Sequence, residues 1–292
     1  MKLKIALEWF LNPDHLPFIA GIETGKYKQA GLDVELIEPK EHYDGFEVLQ
    51  KGEIDLHINE PIHLFEHYFK DLKSIGCFFE TKGGVMIKES SLHKLRNNEH
   101  IRITTPASNP TTNKVGFEIL KRYAQKEGFE LDIQNVDFIE TDFYHLKNLQ
   151  KDDFDGAWLC FYNFEVIEAD HIGFKHLFID QHASPYANFS ALELMTTEST
   201  LLNKRGAIEK FIAVTNEMIR YLGKNTEFGK AVYYDYTKSK KDELMDKIIT
   251  DTITRFDYIK SDSQRWENLY NFLHELELIE LTPEQYSAIW ID

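Results

Sequence analysis

The sequence has few cysteines, and they are not arranged to bind a metal or to form a disulfide framework. Cys77 and Cys160 are the two cysteines among 292 residues, and each lies inside an apolar run. No CxxC pair and no cysteine–histidine group with zinc-ligand spacing occurs in the sequence. A disulfide-dense scaffold and a cysteine-ligated zinc site are therefore excluded, and we expect two buried free thiols.

Basic residues are also in short supply. The chain has 33 Lys and Arg against 49 Asp and Glu, which gives a formal net charge of −16. Nucleic acids and anionic membranes require a basic face, so neither is an expected partner, and solubility explains the charge. No apolar run reaches the length of about 18 residues that a membrane span needs. No signal peptide precedes the first predicted strand, so we expect a cytoplasmic protein, or an extracytoplasmic one if a precursor was trimmed before Met1.

Apolar residues are abundant enough to build large cores. Hydrophobic residues make up 42% of the chain and aromatic residues 13%, a composition that excludes a disordered chain. A chain of this length is long for one core, so two lobes of about 100–150 residues each are expected.

Strand and helix patterns alternate along the first 190 residues. A β-α-β-α-β order is predicted within the first 60 residues, and the alternation begins again near residue 100. This order predicts an α/β chain whose parallel sheets are covered by helices. Mainly helical periodicity follows residue 190, so the chain is predicted to leave lobe one, build lobe two and return. The predicted lobes are 1–88 with 190–292, and 89–189, with a hinge and an interlobe cleft for a ligand.

One internal echo fits two similarly built lobes. Residues 49–55 and 149–155 share the pattern L-Q-K-x-x-apolar-D, in which a predicted helix end turns into a strand. Four identities in seven residues are a weak sign of duplication, because chance can produce them.

A predicted strand-to-helix corner at residues 7–15 concentrates chemically useful side chains. It contains Trp9, Asn12, Asp14 and His15, and open α/β sheets bind their ligands at the carboxyl ends of strands. An aromatic ring, an amide, a carboxylate and an imidazole suit a flat, nitrogen-rich small molecule. Structural alternatives stay open, since Trp9 could belong to the core and Asn12 and Asp14 could cap the helix. His15 is also more often structural than a ligand contact.

A second aromatic and acidic segment lies in the predicted second lobe. Phe161, Tyr162 and Glu165 follow a predicted strand, and Tyr186 lies at the predicted second crossover, where it could close the edge of a pocket. Aromatic rings stack on flat ligands, and a carboxylate can pair with an exocyclic amine and the adjacent ring nitrogen. Glu165 could instead be a solvated carboxylate at a helix start, which the helix dipole favours.

The chain resembles the thiamine-pyrimidine-precursor proteins over most of its length. The resemblance is carried by Trp9-x-x-Asn12-Pro13-Asp14-His15, by Gly25-Lys26-Tyr27, and by residues 30–36, 52–55 and 155–158. That family comprises binding proteins for formylaminopyrimidine-type thiamine precursors and the fungal-type hydroxymethylpyrimidine phosphate synthases. Alkanesulfonate-binding proteins are more distant relatives, and an alkanesulfonate or another small molecule is an alternative ligand.

This resemblance implies the type II periplasmic-binding-protein fold. It also implies a substrate-binding protein that captures a thiamine-related aminopyrimidine for ABC-type uptake or salvage. In the binding-protein branch a carboxylate of an aromatic-rich segment pairs with the pyrimidine, which places that role on Glu165. The expected partners are the pyrimidine and, for uptake, an ABC permease.

The synthase branch is the alternative that the resemblance offers. It implies a lysine that holds pyridoxal phosphate, a nearby histidine, and a cysteine-rich tract associated with iron. Aligning residues 53–63 puts Asn59 at the lysine position and His63 at the histidine position, and residues 185–194 contain no cysteine. A Schiff base requires an amine, so we predict that the chain is not an enzyme and carries no cofactor. We assign Asn59 and Glu60 to ligand binding instead.

Two further predictions concern phosphate and metal. Thr105 and Ser108 lie in a corner before a predicted helix, a position that can bind anions, but two prolines there remove amide donors. We therefore expect these hydroxyls to contact an unphosphorylated ligand. His57, His63 and His67 group around one strand and helix, but the sequence shows no carboxylate at a fixed position beside them, so no metal site is expected.

Overall fold

Two five-stranded sheets, each covered by helices, form the framework of this computed structural model, which describes residues 1–39 and 44–291. The strands are β1 Lys2–Ala6, β2 Asp33–Ile37, β3 Leu56–Asn59, β4 Leu72–Glu80, β5 Gly83–Lys88, β6 Ile101–Thr105, β7 Val136–Glu140, β8 Gly156–Phe161, β9 His176–Ile179 and β10 Ala191–Thr197. The helices are α1 Leu16–Glu23, α2 Lys26–Gln29, α3 Gly45–Gln50, α4 Pro61–Glu66, α5 Leu92–Arg96, α6 Pro110–Glu127, α7 His145–Leu149, α8 Ile167–His171, α9 Glu198–Leu222, α10 Thr226–Thr237, α11 Glu243–Ile253, α12 Glu267–Glu275 and α13 Pro283–Ile289. A 3-10 turn covers Pro13–His15, and a π-helical turn covers Tyr162–Val166.

Local sequence signals explain where individual helices begin and end. The single helix predicted over residues 16–27 is divided into α1 and α2, because Gly25 adopts a φ of +69° that interrupts regular helix. The helix predicted from Tyr43 is observed as α3, whose N-cap is Asp44; its carboxylate accepts the amide hydrogens of residues 46 and 47. Tyr43 itself lies outside the described residues.

The chain divides into two compact units, each with its own sheet. Unit 1 comprises Met1–Glu80, Ala191–Tyr270 and Ile279–Asp292, and unit 2 comprises Thr81–Ser190 and Asn271–Leu278. The predicted lobe boundary at residue 88 differs from this division, because β5 pairs with β8 and β9 and so belongs to the sheet of unit 2.

Both sheets are mixed, whereas the alternation of strands and helices predicted parallel sheets, and one strand in each sheet differs from that prediction. In unit 1 the order is β2-β1-β3-β10-β4, and β10 runs antiparallel to both neighbours. In unit 2 the order is β7-β6-β8-β5-β9, and β5 is the antiparallel strand. Helical crossovers produce parallel neighbours, whereas β5 and β10 enter their sheets through connections that contain no helix.

The sequence echo corresponds to equivalent structural positions. Asp55 Oδ2 accepts the amide hydrogen of Lys4 at 3.0 Å, and Asp155 Oδ2 accepts that of Arg102 at 3.0 Å. Each carboxylate also forms an ion pair with a lysine ammonium at 2.7 Å. Asp55 therefore attaches the start of β3 to β1, and Asp155 attaches the start of β8 to β6.

Large aromatic side chains fill the core of each unit. In unit 1 the ring of Phe211 stacks on Phe18 at 5.6 Å and on Tyr27 at 5.2 Å between centroids. In unit 2 the buried Trp158 donates its Nε1 hydrogen to the carbonyl of Thr112 at 3.1 Å. None of the described helices combines the length and apolar character that crossing a bilayer requires.

The two cysteines are buried free thiols, as predicted. Burial raises the pKa of both Cys77 and Cys160. The thiolate is the reactive form of cysteine, so both side chains behave as small apolar groups.

Candidate functional site

In unit 1 the carboxyl ends of two neighbouring strands carry a group of carboxylates and imidazoles. β1 and β3 pair in parallel, so their carboxyl ends meet at one edge of the sheet. Glu8 follows β1, Asn59 ends β3, and Glu60 comes directly before α4. This edge is where open α/β sheets bind ligands.

The corner at residues 7–15 is held together by its own side chains. Asn12 Oδ1 accepts the amide hydrogen of Asp14 at 2.8 Å and caps the 3-10 turn. The amide of Asn12 donates to His15 Nδ1 at 3.2 Å, so the ring proton lies on Nε2, which donates to the Glu8 carboxylate at 3.0 Å. The cap alternative for Asn12 is therefore what the structure shows, and His15, fully buried, positions Glu8.

Trp9 differs in exposure from the other predicted site residues of this corner. The residue is 37% exposed, and its ring lies beside that of Phe10 at 5.6 Å between centroids. The core alternative for Trp9 is therefore wrong. Asn12, Asp14 and His15 are buried, and their direct contact with a ligand stays a prediction.

A buried histidine orients Asn59 at the end of β3. His57 Nδ1 donates to the carbonyl of Ala6 at 3.2 Å, and its Nε2 accepts from Asn59 Nδ2 at 3.2 Å. Burial lowers the pKa of His57 to about 4, which keeps this ring neutral. Asn59 Oδ1 accepts the amide hydrogen of Glu60 at 2.9 Å, so both ends of the amide are engaged.

Asn59 also decides whether pyridoxal phosphate fits at this strand end. The resemblance implies a lysine here, and the structure has a carboxamide that is hydrogen-bonded to His57 and to the backbone. A carboxamide cannot form a Schiff base. The cofactor therefore cannot be held covalently at this position.

Glu60 and His63 follow Asn59 at the same edge of the sheet. Burial raises the pKa of Glu60 to about 7, His63 opposes that shift, and the charges of Glu8 and Glu66 add to it. The imidazole of His63 lies between two carboxylates, 2.9 Å from Glu66 and 3.8 Å from Glu60. His57 is hydrogen-bonded to Ala6 and Asn59, so only His63 and His67 of the three predicted histidines remain together. Glu66 supplies the fixed carboxylate that the sequence did not show.

In unit 2 the end of β8 presents the aromatic and acidic segment. The amide of Phe161 donates to Glu165 Oε2 at 2.7 Å, which fixes the carboxyl at the start of the π-helical turn. Burial raises the pKa of Glu165 to about 8, and this amide contact opposes the shift. The Tyr162 ring lies 5.5 Å from the ammonium of Lys82. The alternative of a freely solvated Glu165 is therefore wrong.

The remaining predicted residues of unit 2 have internal partners. Thr105 is buried and donates to the carbonyl of Ala107 at 3.0 Å. Ser108 Oγ donates to the carbonyl of Phe138 at 3.2 Å. The buried hydroxyl of Tyr186 donates to the carbonyl of Gly83, and burial raises its pKa. These contacts favour supporting roles, and direct ligand contact by the three stays a prediction.

Two site residues were missed by sequence reasoning. Glu8 lay inside the corner that the sequence singled out, directly after a strand, but its contact with His15 is not visible locally. Glu66 is three residues after His63 on a predicted helix, and that spacing was the available signal for their contact.

Comparison with known proteins gives a family match and a fold match. Residues 12–227 match the family described as NMT1/THI5 like. A Legionella pneumophila protein named 4-amino-5-hydroxymethyl-2-methylpyrimidine phosphate synthase is 21% identical over 287 residues, which cover 96% of this chain and 88% of that protein.

Two solved structures resemble the whole chain. The periplasmic aliphatic sulphonate binding protein of Escherichia coli has a TM-score of 0.70 at 13% identity, covering 99% of this chain and 97% of its own. A Candida albicans protein described as having the generic periplasmic binding protein fold gives a TM-score of 0.62 at 15% identity, covering 98% and 94%. The predicted periplasmic-binding-protein fold is confirmed.

The prediction that the chain is not an enzyme is contradicted. A relative that matches 96% of the chain is named as a synthase. The missing lysine and cysteine tract bear only on the route that uses pyridoxal phosphate and iron. Their absence therefore does not exclude catalysis.

Proposed function

Because this chain belongs to the NMT1/THI5-like family and has the periplasmic-binding-protein fold, we propose that it binds a thiamine-related aminopyrimidine. The observation that carries the proposal is the Glu165 carboxyl, fixed by the amide of Phe161 at the end of β8 in a segment that also contains the aromatic residues Phe161 and Tyr162. A carboxyl group and aromatic rings are the groups that can pair with and stack on a flat ring with an amine beside a ring nitrogen.

The raised pKa of Glu165 suits this ligand. With a pKa of about 8 the carboxyl carries a proton in much of the free protein near neutral pH. The protonated acid donates to the ring nitrogen and accepts from the exocyclic amine, and an ionised acid makes the same pair with a protonated ring. Both forms give two hydrogen bonds, while Phe161 and Tyr162 supply surfaces for stacking.

Unit 1 supports the proposal with a second acidic and aromatic edge. Trp9 is an exposed aromatic residue, and Glu60, with a pKa of about 7, is a further partner for an amine or hydroxymethyl group. That one ligand contacts both units stays a prediction.

We propose that the preferred ligand is the unphosphorylated pyrimidine. The corner after β6 offers hydroxyls that are occupied by the protein's own carbonyl groups. An added dianion would also meet a chain whose net charge is −16.

Calorimetry on the full chain tests this proposal. We expect 4-amino-5-hydroxymethyl-2-methylpyrimidine to bind more tightly than its phosphate or an alkanesulfonate. Glu165→Gln should weaken binding by about 1.5–3 kcal/mol, roughly 10–150-fold, because a hydrogen bond to a charged or proton-sharing group is lost. Glu168→Gln, three residues further along the same segment, is the matched control and should bind normally. No binding at millimolar pyrimidine, or unchanged affinity in Glu165→Gln, contradicts the proposal.

A second candidate function is synthesis of the pyrimidine itself, which the name of the Legionella relative supports. The same carboxyl and aromatic groups would then bind a product instead of a cargo. For uptake, the ligand would pass to an ABC permease and the chain would act outside the cytoplasm; for synthesis or salvage it would act inside.

A further inference from the structure

The C-terminal end of α4 brings two imidazoles and a carboxylate together. His63, Glu66 and His67 each offer a ligand atom, and these atoms all lie within 4.8 Å of one another. It is the one such group found among residues 1–39 and 44–291. His63 and Glu66 lie on α4, and His67 is its C-cap, so one helical turn supplies all three groups.

The distances are close to those of a metal site. Zinc binds imidazole nitrogen and carboxylate oxygen at about 2.0–2.2 Å, so tetrahedral ligand atoms lie about 3.3 Å apart. His63 Nδ1 and Glu66 Oε2 are 2.9 Å apart. The three ligand atoms lie within 4.8 Å of one another, so they have to approach by at most about 1.5 Å to form a three-ligand set of the kind that leaves a fourth position open.

The surroundings favour a cation in this place. The His67 ring stacks on Phe46 at 4.8 Å between centroids with 13° between the planes, which restricts its orientation. Glu60 Oε2 lies 3.8 Å from His63 Nε2, so a second carboxylate borders the group. The side chains of His63 and Glu66 are partly covered, and His67 is exposed, so an ion can enter from solvent.

We propose that His63, Glu66 and His67 bind a divalent transition-metal ion of the zinc type. Two imidazoles and one carboxylate suit Zn²⁺, Co²⁺ or Ni²⁺, whereas Mg²⁺ and Ca²⁺ prefer sets made of oxygen. The proposed ligand set includes neither Asn59 nor Glu165, and it reverses the expectation that the histidines bind no metal.

The competing explanation is an ion-pair cluster without metal. A protonated His63 between two carboxylates would produce the same short contacts. A metal site predicts that an added ion binds with fixed stoichiometry and that its binding depends on His67. The ion-pair explanation predicts neither, because His67 makes no ion pair in that cluster.

The test uses the full chain without a histidine tag and without pyrimidine. Zn²⁺ binding is measured by calorimetry at about pH 7.5, where imidazole ligands are mainly deprotonated, and Co²⁺ binding by its visible absorption. We expect one ion per chain and a tetrahedral Co²⁺ spectrum without thiolate bands, since both cysteines are buried.

Variants assign the site. His67→Ala and Glu66→Gln should each lower Zn²⁺ affinity at least tenfold, while His93→Ala and Glu53→Gln, at exposed positions elsewhere, should not. Circular dichroism confirms that the variants fold; His67 is exposed, so its removal leaves the core intact. The proposal is overturned if the wild-type chain does not bind Zn²⁺, or if both site variants bind Zn²⁺ with the wild-type affinity. Because no pyrimidine is present, the result is independent of the proposed function.

Discussion

Among residues 1–39 and 44–291, three glutamates have a pKa raised to about 7 or 8, chiefly by burial, and they differ in what surrounds them. Glu60 and Glu165 lie at strand ends and are partly exposed, which is typical of groups that meet a ligand. Glu193 is buried in the middle of β10, where it accepts hydrogen bonds from the Ser74 hydroxyl and from Trp266 Nε1. Raised pKa values therefore occur both at strand ends and in the core, and exposure distinguishes the two kinds of position.

Replacing Glu193 by Gln should change how stability depends on pH. The folded-state pKa lies above the unfolded one, so the native state binds the extra proton and wild-type stability falls as pH rises between the two values. Glutamine does not titrate. The free energy of unfolding of Glu193→Gln, measured relative to wild type, should therefore increase by about 3 kcal/mol as pH rises from about 4.5 to about 8. Urea unfolding at both pH values measures this, and a difference that does not vary with pH would contradict it.

At the scale of elements, the two units repeat one arrangement. The orders β2-β1-β3 and β7-β6-β8 are equivalent, and in each sheet an antiparallel strand comes fourth. Asp55 and Asp155 occupy matching positions before the third strand. The weak echo in the sequence therefore marks residues that link the second and third strands of each sheet, β1 to β3 and β6 to β8.

Asp155→Asn should lower the free energy of unfolding by about 1.5–3 kcal/mol at neutral pH. Burial alone would raise the pKa of Asp155, but hydrogen bonds from Lys94, Ser91 and the Arg102 amide outweigh it and lower the pKa. A lowered pKa means that the carboxylate stabilises the fold above its unfolded pKa and that this contribution is lost as pH falls through the folded pKa. The effect should therefore diminish in acid.

Denaturant unfolding from neutral to acidic pH measures the Asp155→Asn effect. The exposed Asp153→Asn is the matched control, because its known contact uses the backbone carbonyl. A loss that is equally large at low pH would show that the charge of Asp155 is not its cause.

At the scale of the whole molecule, the fold and the family point in different directions. The solved structures that resemble the chain are binding proteins by name, and the Legionella relative is a synthase by name. One fold supports several functions, so the site has to decide between them. In this site Asn59 occupies the lysine position, which removes one catalytic route.

Growth of a bacterial strain that cannot make the thiamine pyrimidine separates the two functions. A chain that acts as a synthase, as its Legionella relative is named, should support growth without added pyrimidine, whereas a chain that only binds the pyrimidine should not. The Asn59→Ala variant, expressed in the same strain, is the control for a changed residue at the end of β3. Growth that depends on the chain without added pyrimidine would establish synthesis as its function.

The sequence by itself determined the α/β alternation and the corner at residues 7–15, and it singled out the segment that contains Glu165. These features depend on periodicity, turn residues and short motifs, which act over a few residues. It also indicated the cap at Asn12, because capping involves neighbouring residues.

Only the tertiary structure decided the direction of β5 and β10, the burial of Tyr186 and the group formed by His63, Glu66 and His67. Strand direction depends on connections between distant parts of the chain, and Tyr186 is buried by its contact with Gly83, 103 positions away. Carboxyl pKa values likewise depend on the burial that distant elements impose. Local patterns specify elements, and long-range packing specifies which of their side chains remain accessible for function.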